Sequence, residues 1–252
     1  MKLWITPLML FFTSLAWGSV RSHELNTFIQ GLEKEYAGQL QSLGYTLEFQ
    51  MGVKEAEAPC YADSDFLNPS QKKIIVTRAW LKDRRLTLDH MKFFLCHELG
   101  HHLGGTPYKN KPSRKNLVSG EGQADYWGAQ DCLLKALKKE DLTAQYDLET
   151  RPEITARCQA QFAEPLEIKA CARAMEVSES SIQFLFHNEQ KKEQAVSMFA
   201  RNLPIPTLEQ SESGRVTETE LLYTSLQCRL DTLVAGILQQ PRPGCWFYSI
   251  IE

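Results

Sequence analysis

The sequence has 252 residues, of which 43% are hydrophobic, 23% charged and 10% aromatic. This composition is typical of a folded globular protein and excludes a disordered tail, a collagen-like fibre and a low-complexity linker. The formal net charge is −3, so the chain carries no basic excess that would attract nucleic acid. Its seven cysteines are too few for a disulfide-dense miniprotein and many for a protein of a reducing cytosol.

The first 18 residues have the pattern of a secretory signal peptide. Met1–Lys2 is a short positive start, residues 3–16 are mostly apolar, and Ala16-Trp17-Gly18 has the small-x-small pattern of a cleavage site. A membrane anchor is the competing interpretation, but about fifteen apolar residues are short for a membrane span. We therefore expect a cleaved signal peptide over residues 1–18, no transmembrane segment in the mature chain, and export to a periplasm or out of the cell.

The next part of the chain alternates between helical and extended patterns. Apolar residues at helical spacing predict a helix over residues 24–43, which Gly44 ends. Alternating apolar and polar residues predict a strand at 45–53, and a short apolar run predicts a second strand at 73–81. Residues 54–71 contain two prolines and are predicted to form a loop.

Two helices are predicted in the middle of the chain. Thr87 is expected to cap the first, which runs to Leu103 and stops at a pair of glycines. Ser119 is expected to cap the second, which runs to about Lys139. The loop between them, residues 106–118, is polar and basic. Its lysines and arginine are expected to be solvated, and the alternative is a lip that attracts acidic substrates.

The remainder of the chain has a helical pattern. It starts at residue 152, with predicted breaks near Pro165, near Ser178 and at 202–215. A last helix is predicted over about 217–239. The predicted fold class is therefore α+β and mostly helical, with a small β-sheet.

A zinc-binding motif lies within the helix that follows Thr87. His97 and His101 are four residues apart, so both imidazoles lie on one face of the helix and can reach one ion. With Glu98 between them they form the H-E-x-x-H motif, in which the glutamate is the general base. Cys96 is expected on the opposite face, away from the metal. The alternative is an ordinary pair of packed core histidines.

A catalytic zinc needs a third protein ligand and an open fourth position. Glu121 and Asp125 share one face of the next predicted helix. Glu121 is expected to complete the ligand set, and Asp125 to accept the free ring N–H of a ligand histidine. Small residues on this helix are expected to allow a close approach to the first helix: Gly122, Ala124 and Gly128. The alternative is that the two acids only interact favourably with the helix dipole.

H-E-x-x-H followed by E-x-x-x-D resembles the gluzincin zinc metallopeptidases. The sequence over about residues 72–130 and 220–232 is similar to that of the CAAX prenyl endopeptidase and HtpX-like metalloprotease family. Tyr223 and Arg229 have the spacing of that family's downstream His and Arg, with Tyr in place of His. The resemblance implies a zincin-like core over residues 19–140 and a helical C-terminal region over 141–252 that completes the site.

The resemblance implies a soluble, exported, zinc-dependent endopeptidase with one Zn²⁺ per chain and a peptide or protein substrate. Glu98 would take a proton from the zinc-polarised water and pass it to the leaving amine. Tyr223 is the candidate donor to the tetrahedral oxyanion, and Arg229 would hold the arrangement. Tyr126 and His187 are other candidates for that donor.

Two further expectations concern the surroundings of the zinc. The strand at 73–80 is expected to be an edge along which a peptide substrate adds by backbone hydrogen bonding. His102 is expected to be a neighbour on the helix and not a ligand.

Two alternatives to an active peptidase stay open, and so does the oligomeric state. One is a non-catalytic or chaperone-like zinc-binding module, motivated by the missing downstream histidine. The other is a latent enzyme in which the loop at 106–118 or the C-terminal half covers the cleft.

The cysteine spacing predicts two local disulfides, Cys158–Cys171 and Cys228–Cys245. Three cysteines are then left over, and one of them must stay free or pair between chains: Cys60, Cys96 and Cys132.

Overall fold

A computed structural model describes residues 16–54, 60–64, 68–109, 117–196 and 204–249, without the side chains of residues 16–22 and 190–196. Its elements in chain order are α1 (Ala16–Ser42), β1 (Thr46–Val53), β2 (Cys60–Ser64), β3 (Gln71–Thr77), α2 (Arg78–Lys82), α3 (Leu88–Leu103), α4 (Glu121–Trp127), a π-helical segment (Gly128–Leu133), α5 (Leu134–Lys138), α6 (Asp141–Ala144), α7 (Pro152–Gln161), α8 (Pro165–Val196) and α9 (Leu226–Ile237). This mostly helical α+β architecture confirms the predicted fold class.

Most of the predicted signal peptide, residues 1–15, lies outside the described residues. In the described part of the chain, none of the helices has the length and apolar character needed to cross a membrane.

The described strands form one mixed sheet with the order β1-β3-β2. β3 runs parallel to β1 and antiparallel to β2, so it is the central strand. The expectation that the second strand is an edge is therefore wrong. β2 lies within the segment predicted to be a loop. The sequence did not predict this strand because its five residues, CYADS, lack the apolar alternation that indicates a strand. β3 also ends earlier than predicted, and α2 follows it directly.

Helix α3 lies at the centre of the molecule. Thr87 caps it as predicted, since its hydroxyl accepts the His90 N–H while His90 Nδ1 accepts the Thr87 N–H. The helix packs against α1, β2, β3, α4, the π-helical segment and α8. Its apolar side chains, among them Leu95 and Leu99, are buried in the main hydrophobic core. This position fixes α3 from every side.

The second predicted helix starts one residue later than expected. Gly120 is the N-cap of α4, and the Ser119 hydroxyl instead donates to the carbonyl of Gly105. The Ser119 backbone forms an antiparallel bridge with Tyr108. The helical path then continues through the π-helical segment and α5 to Lys138, close to the predicted end.

Two predictions for the C-terminal half are wrong. α8 runs without a break through Ser178, because this residue is buried in the packed face of the helix, where tertiary packing overrides the weak helix preference of serine. The last helix begins at Leu226 and not near residue 217. Residues 217–225 form an irregular segment, in which the Glu220 N–H donates to the carbonyl of Trp246 instead of to a helical neighbour.

Three disulfides lie within the described residues. Cys158–Cys171 and Cys228–Cys245 pair as predicted, and Cys96–Cys132 joins α3 to the π-helical segment. Cys60 in β2 is the free cysteine of the described residues, and it is buried. Disulfides in this number are typical of proteins in oxidising compartments. The Cys96 bond also confirms that this side chain points away from the histidine face of α3.

Candidate metal centre

Helices α3 and α4 touch backbone to backbone. A Cβ atom added to Gly100 would lie 2.5 Å from the carbonyl oxygen of Ala124, and one added to Gly128 would lie 2.9 Å from that of Cys96. The predicted close approach is therefore present, although Gly100 was not among the residues expected to allow it. Gly122 faces the ring of Trp246 instead of α3.

This close approach brings the three predicted ligands together. His97, His101 and Glu121 are buried, and one ligand atom from each lies within 4.8 Å of the others. His97 Nε2 is 3.3 Å from Glu121 Oε2, and His101 Nε2 is 3.6 Å from Glu121 Oε1. The arrangement is a compact group of two imidazoles and one carboxylate that could hold a metal ion.

Hydrogen bonds orient both imidazoles toward Glu121. His97 Nδ1 donates to Asp125 Oδ1 at 2.7 Å, the contact predicted for Asp125. His101 Nδ1 donates to the carbonyl oxygen of Ser119 at 2.9 Å. Because a carbonyl only accepts, the Nδ1 atom of His101 carries the hydrogen and its Nε2 atom presents a lone pair to the ligand cluster. Sequence reasoning missed Ser119 because the partner is a backbone atom.

A buried ion pair supports Asp125 from behind. Arg229 Nε donates to Asp125 Oδ2 at 2.7 Å, and its Nη2 donates to Oδ1 at 2.9 Å. Burial alone would favour the neutral acid, but the Arg229 guanidinium and His97 hold the pKa of Asp125 below its usual range. Arg229, predicted to hold the oxyanion donor, thus lies in a chain of contacts that ends at the ligand His97.

The charges around the ligand cluster suit a cation. Burial would favour neutral His97, but the Asp125 carboxylate raises the pKa of this imidazole to about 10. Burial and the charge of His97 lower the pKa of His101 to about 3. Despite its burial, the imidazoles and Lys109 hold the pKa of Glu121 well below its usual range. The cluster therefore presents a carboxylate and a neutral imidazole, and a metal ion would replace the proton that His97 carries.

The hydrogen bonding of the Glu121 carboxylate also fits a metal ion. Glu121 Oε2 is buried, and apart from the His97 imidazole at 3.3 Å it has no polar partner among the described residues, so it has a lone pair to offer a cation. Two imidazole nitrogens and one carboxylate oxygen are a ligand set of catalytic zinc sites, which keep a fourth position for water or substrate. These residues fit a divalent transition metal, and the donor set does not by itself fix its identity.

Glu98 lies between α3 and the sheet. Its Oε2 accepts the backbone N–H of Ala62 in β2 at 2.7 Å. Burial, together with the nearby carboxylate of Glu121, raises the pKa of Glu98 to about 7 although the charge of His97 opposes the shift. Ala62 is a further residue at the site that sequence reasoning missed, because its segment was predicted to be a loop.

Tyr223 lies on the irregular segment before α9 and is 72% exposed. The same segment reaches α4, where the carbonyl of Leu221 accepts the first helical N–H, that of Glu121. The guanidinium of Arg229 lies 5.7 Å from the Tyr223 ring centre. Partial desolvation and the Glu121 carboxylate raise the pKa of Tyr223 to about 12. The predicted oxyanion donor thus lies in the segment before α9, beside the ligand cluster, and not on a helix.

The other residues considered for the site have different neighbours. The Tyr126 hydroxyl donates to the carbonyl of Gln240, and exposed His187 on α8 stacks against Phe186. His102 Nε2 contacts the carbonyl of Lys73 in β3, on the sheet side of α3. It is therefore turned away from the ligand cluster.

Lys109 was expected in a solvated loop, and this expectation is wrong. Its ammonium group is hydrogen-bonded to Glu121 Oε1. The remaining basic residues of the predicted loop, at 110–116, lie outside the described residues.

Comparisons with known proteins found no match to this chain, neither a family model nor a curated protein nor a solved structure. Function is therefore inferred from the geometry of the site.

Proposed function

We propose that the protein is an exported zinc-dependent endopeptidase of the gluzincin type. The observation that carries the proposal is the buried cluster of His97, His101 and Glu121 with Glu98 beside it on the same helix. Two oriented imidazoles, a ligand carboxylate and a second carboxylate outside the ligand set are the parts that metal-assisted peptide hydrolysis needs. The three disulfides support export, since such bonds persist in oxidising compartments.

Glu98 would act as the general base. Zinc, when bound, would polarise the attacking water and the scissile carbonyl. The N–H of Ala62 fixes one carboxylate oxygen of Glu98, which leaves the other to accept the proton of the attacking water. Glu98 would then pass this proton to the leaving amine.

The outer edge of β2 is the proposed peptide-binding strand. β2 is an edge of the described sheet, and the N–H of Ala62 points away from β3 toward Glu98. An extended peptide that added to this edge would gain backbone hydrogen bonds and run past the general base. β2 therefore takes the substrate-binding role that the sequence had suggested for the strand at 73–80.

Two C-terminal residues would assist the reaction. Tyr223 would donate its hydroxyl hydrogen to the oxyanion that develops on the scissile carbonyl. Arg229 would act through Asp125 and hold the ring of His97 in its orientation. Both roles agree with the expectation that residues 220–232 complete the site.

The decisive variant for this proposal is Glu98→Gln. We expect it to retain zinc and to lose about 10²–10⁴-fold in the rate of cleavage of unfolded casein, because the amide cannot accept the proton. Glu33→Gln, on the exposed face of α1, is the matched control and should keep full activity. Zinc content and chelator-sensitive cleavage are measured on all three proteins.

Two results would contradict the proposal. Unchanged activity in Glu98→Gln would refute the assigned base. Zinc binding without turnover on any of several unfolded substrates would favour the non-catalytic or chaperone-like module instead.

A further inference from the structure

Lys109 contacts the ligand carboxylate from the side of the loop that precedes α4. Its ammonium group hydrogen-bonds Glu121 Oε1, the oxygen that lies 3.6 Å from His101 Nε2. The Lys109 side chain is 27% exposed, whereas that of Glu121 is 3% exposed. The charge of Lys109 also acts on Glu98 and His101. The ammonium group therefore lies at the mouth of the ligand cluster.

The backbone around Lys109 is hydrogen-bonded to residues 118–120, the segment that also orients His101. The Lys109 N–H donates to the carbonyl of Val118 at 2.7 Å, and the Gly120 N–H donates to that of Pro107 at 2.8 Å. Between these two bonds, Ser119 donates its N–H to the carbonyl of His101 and accepts from His101 Nδ1. Lys109 is thus held at a defined distance from the ligands by a short antiparallel ladder.

We propose that Lys109 is an internal counter-cation that competes with the metal ion for Glu121. The proposal rests on the metal site of the proposed function. Together with His97, the ammonium group neutralises a buried carboxylate that lies near Glu98. A divalent ion must displace the ammonium from Oε1 or share the carboxylate with it.

Either way, the two positive charges repel each other where little water screens them. Lys109 therefore weakens metal binding and stabilises the metal-free state. The metal is expected to exchange more readily than it would from the same two histidines and glutamate without the lysine.

If Lys109 instead supported the metal site, removing its charge would change the zinc affinity in the opposite direction. A side chain that only orients a ligand carboxylate strengthens metal binding, and its removal typically weakens the affinity. The direction of the change on removing the Lys109 charge thus distinguishes the competitor from a supporting residue.

The test is the zinc dissociation constant of the metal-free full-length protein, measured by competition with a chromophoric chelator. We expect Kd to fall about tenfold or more in Lys109→Met and in Lys109→Gln, because the competing charge is gone. Lys109→Arg keeps the charge and should stay within about threefold of the wild type. Lys135→Met is the matched control, since this lysine pairs with Asp131 on the surface.

A second readout is the thermal midpoint of the metal-free protein. It should fall in Lys109→Met, where Glu121 loses its counter-cation, and zinc should raise it more than in the wild type. Two variants are used so that a folding defect in one does not decide the outcome.

Unchanged or weaker zinc binding in both neutral variants would overturn the proposal. The result is independent of turnover. An inactive protein whose Lys109→Met variant binds zinc more tightly would refute the peptidase and keep this inference. A failure of all variants to bind zinc would overturn both.

Discussion

Asp125 joins a ligand histidine to a buried arginine. One carboxylate oxygen accepts from His97 Nδ1 and from Arg229, and the other accepts from Arg229 alone. Such a carboxylate fixes the tautomer and the angle of a metal-bound imidazole.

Asp125→Asn should lower the zinc affinity by about 10–100-fold, because the amide orients His97 less firmly and no longer carries the charge. Asp131→Asn, which removes a surface partner of Lys135, is the control and should not change the zinc affinity. The measurement is chelator competition on proteins that circular dichroism shows to be folded. A zinc Kd within twofold of the wild type would contradict the role of Asp125.

Tyr223 is the residue whose assigned role depends most on its hydroxyl group. Because the side chain is 72% exposed, Tyr223→Phe should leave the unfolding midpoint unchanged. It should lower kcat about 10²-fold with little change in KM, as expected for a donor that acts mainly in the transition state. Tyr248→Phe, at another exposed tyrosine, is the control. Equal kcat values for Tyr223→Phe and the wild type would remove Tyr223 from the mechanism.

For single residues of the site, the sequence predicts which side chains come together better than it predicts their backbone hydrogen-bond partners. The four-residue spacing of His97 and His101, and of Glu121 and Asp125, predicts the shared faces that the structure contains. The carbonyl of Ser119 and the N–H of Ala62 carry no such pattern, because every residue has these groups. Lys109 was missed for a related reason: which residue a loop lysine contacts depends on pairing between backbones, not on spacing.

The packing of α3 on α4 sets the distance between the histidines and Glu121. Gly100 lies at the closest point, where its missing side chain lets the backbone of Ala124 approach. Gly100 lies within a regular helix, whose backbone conformation any residue can adopt. A glycine is therefore needed here for close packing and not for its conformational freedom.

Gly100→Ala should destabilise the protein by about 1–3 kcal/mol, since the new methyl group would lie 2.5 Å from a backbone oxygen that cannot rotate away. It should also weaken zinc binding as the two helices move apart. Gly38→Ala in α1 has no atom within 4 Å of the added carbon and should be neutral or stabilising by about 0.5–1 kcal/mol. Urea denaturation measures both. Equal stability of the two variants would contradict this account of the interface.

The elements with strong periodicity were predicted, and those shaped by distant partners were not. Thr87 capping α3 and the glycines after Leu103 are local signals, and they predict that helix almost to the residue. β2 exists because it pairs with β3, and residues 217–225 are not helical because the Glu220 N–H donates to the carbonyl of Trp246 in the tail. Neither partner is close in sequence, so no local pattern reports them.

The whole molecule closes around the ligand cluster from two sides. On one side the sheet edge contributes Ala62 to Glu98. On the other, the C-terminal tail buries Trp246 against Gly122, and the Cys228–Cys245 disulfide ties that tail to α9. The residues of the site therefore come from regions far apart in the chain, which explains why the sequence could predict the ligands but not the way they are enclosed.

The most direct test of the metal centre is anomalous diffraction at the zinc edge from crystals of the full-length protein grown with zinc. The account predicts one strong peak per chain, about 2.0–2.2 Å from Nε2 of His97, Nε2 of His101 and a carboxylate oxygen of Glu121. A map with no peak at these three residues, or with its strongest peak at other side chains, would contradict it.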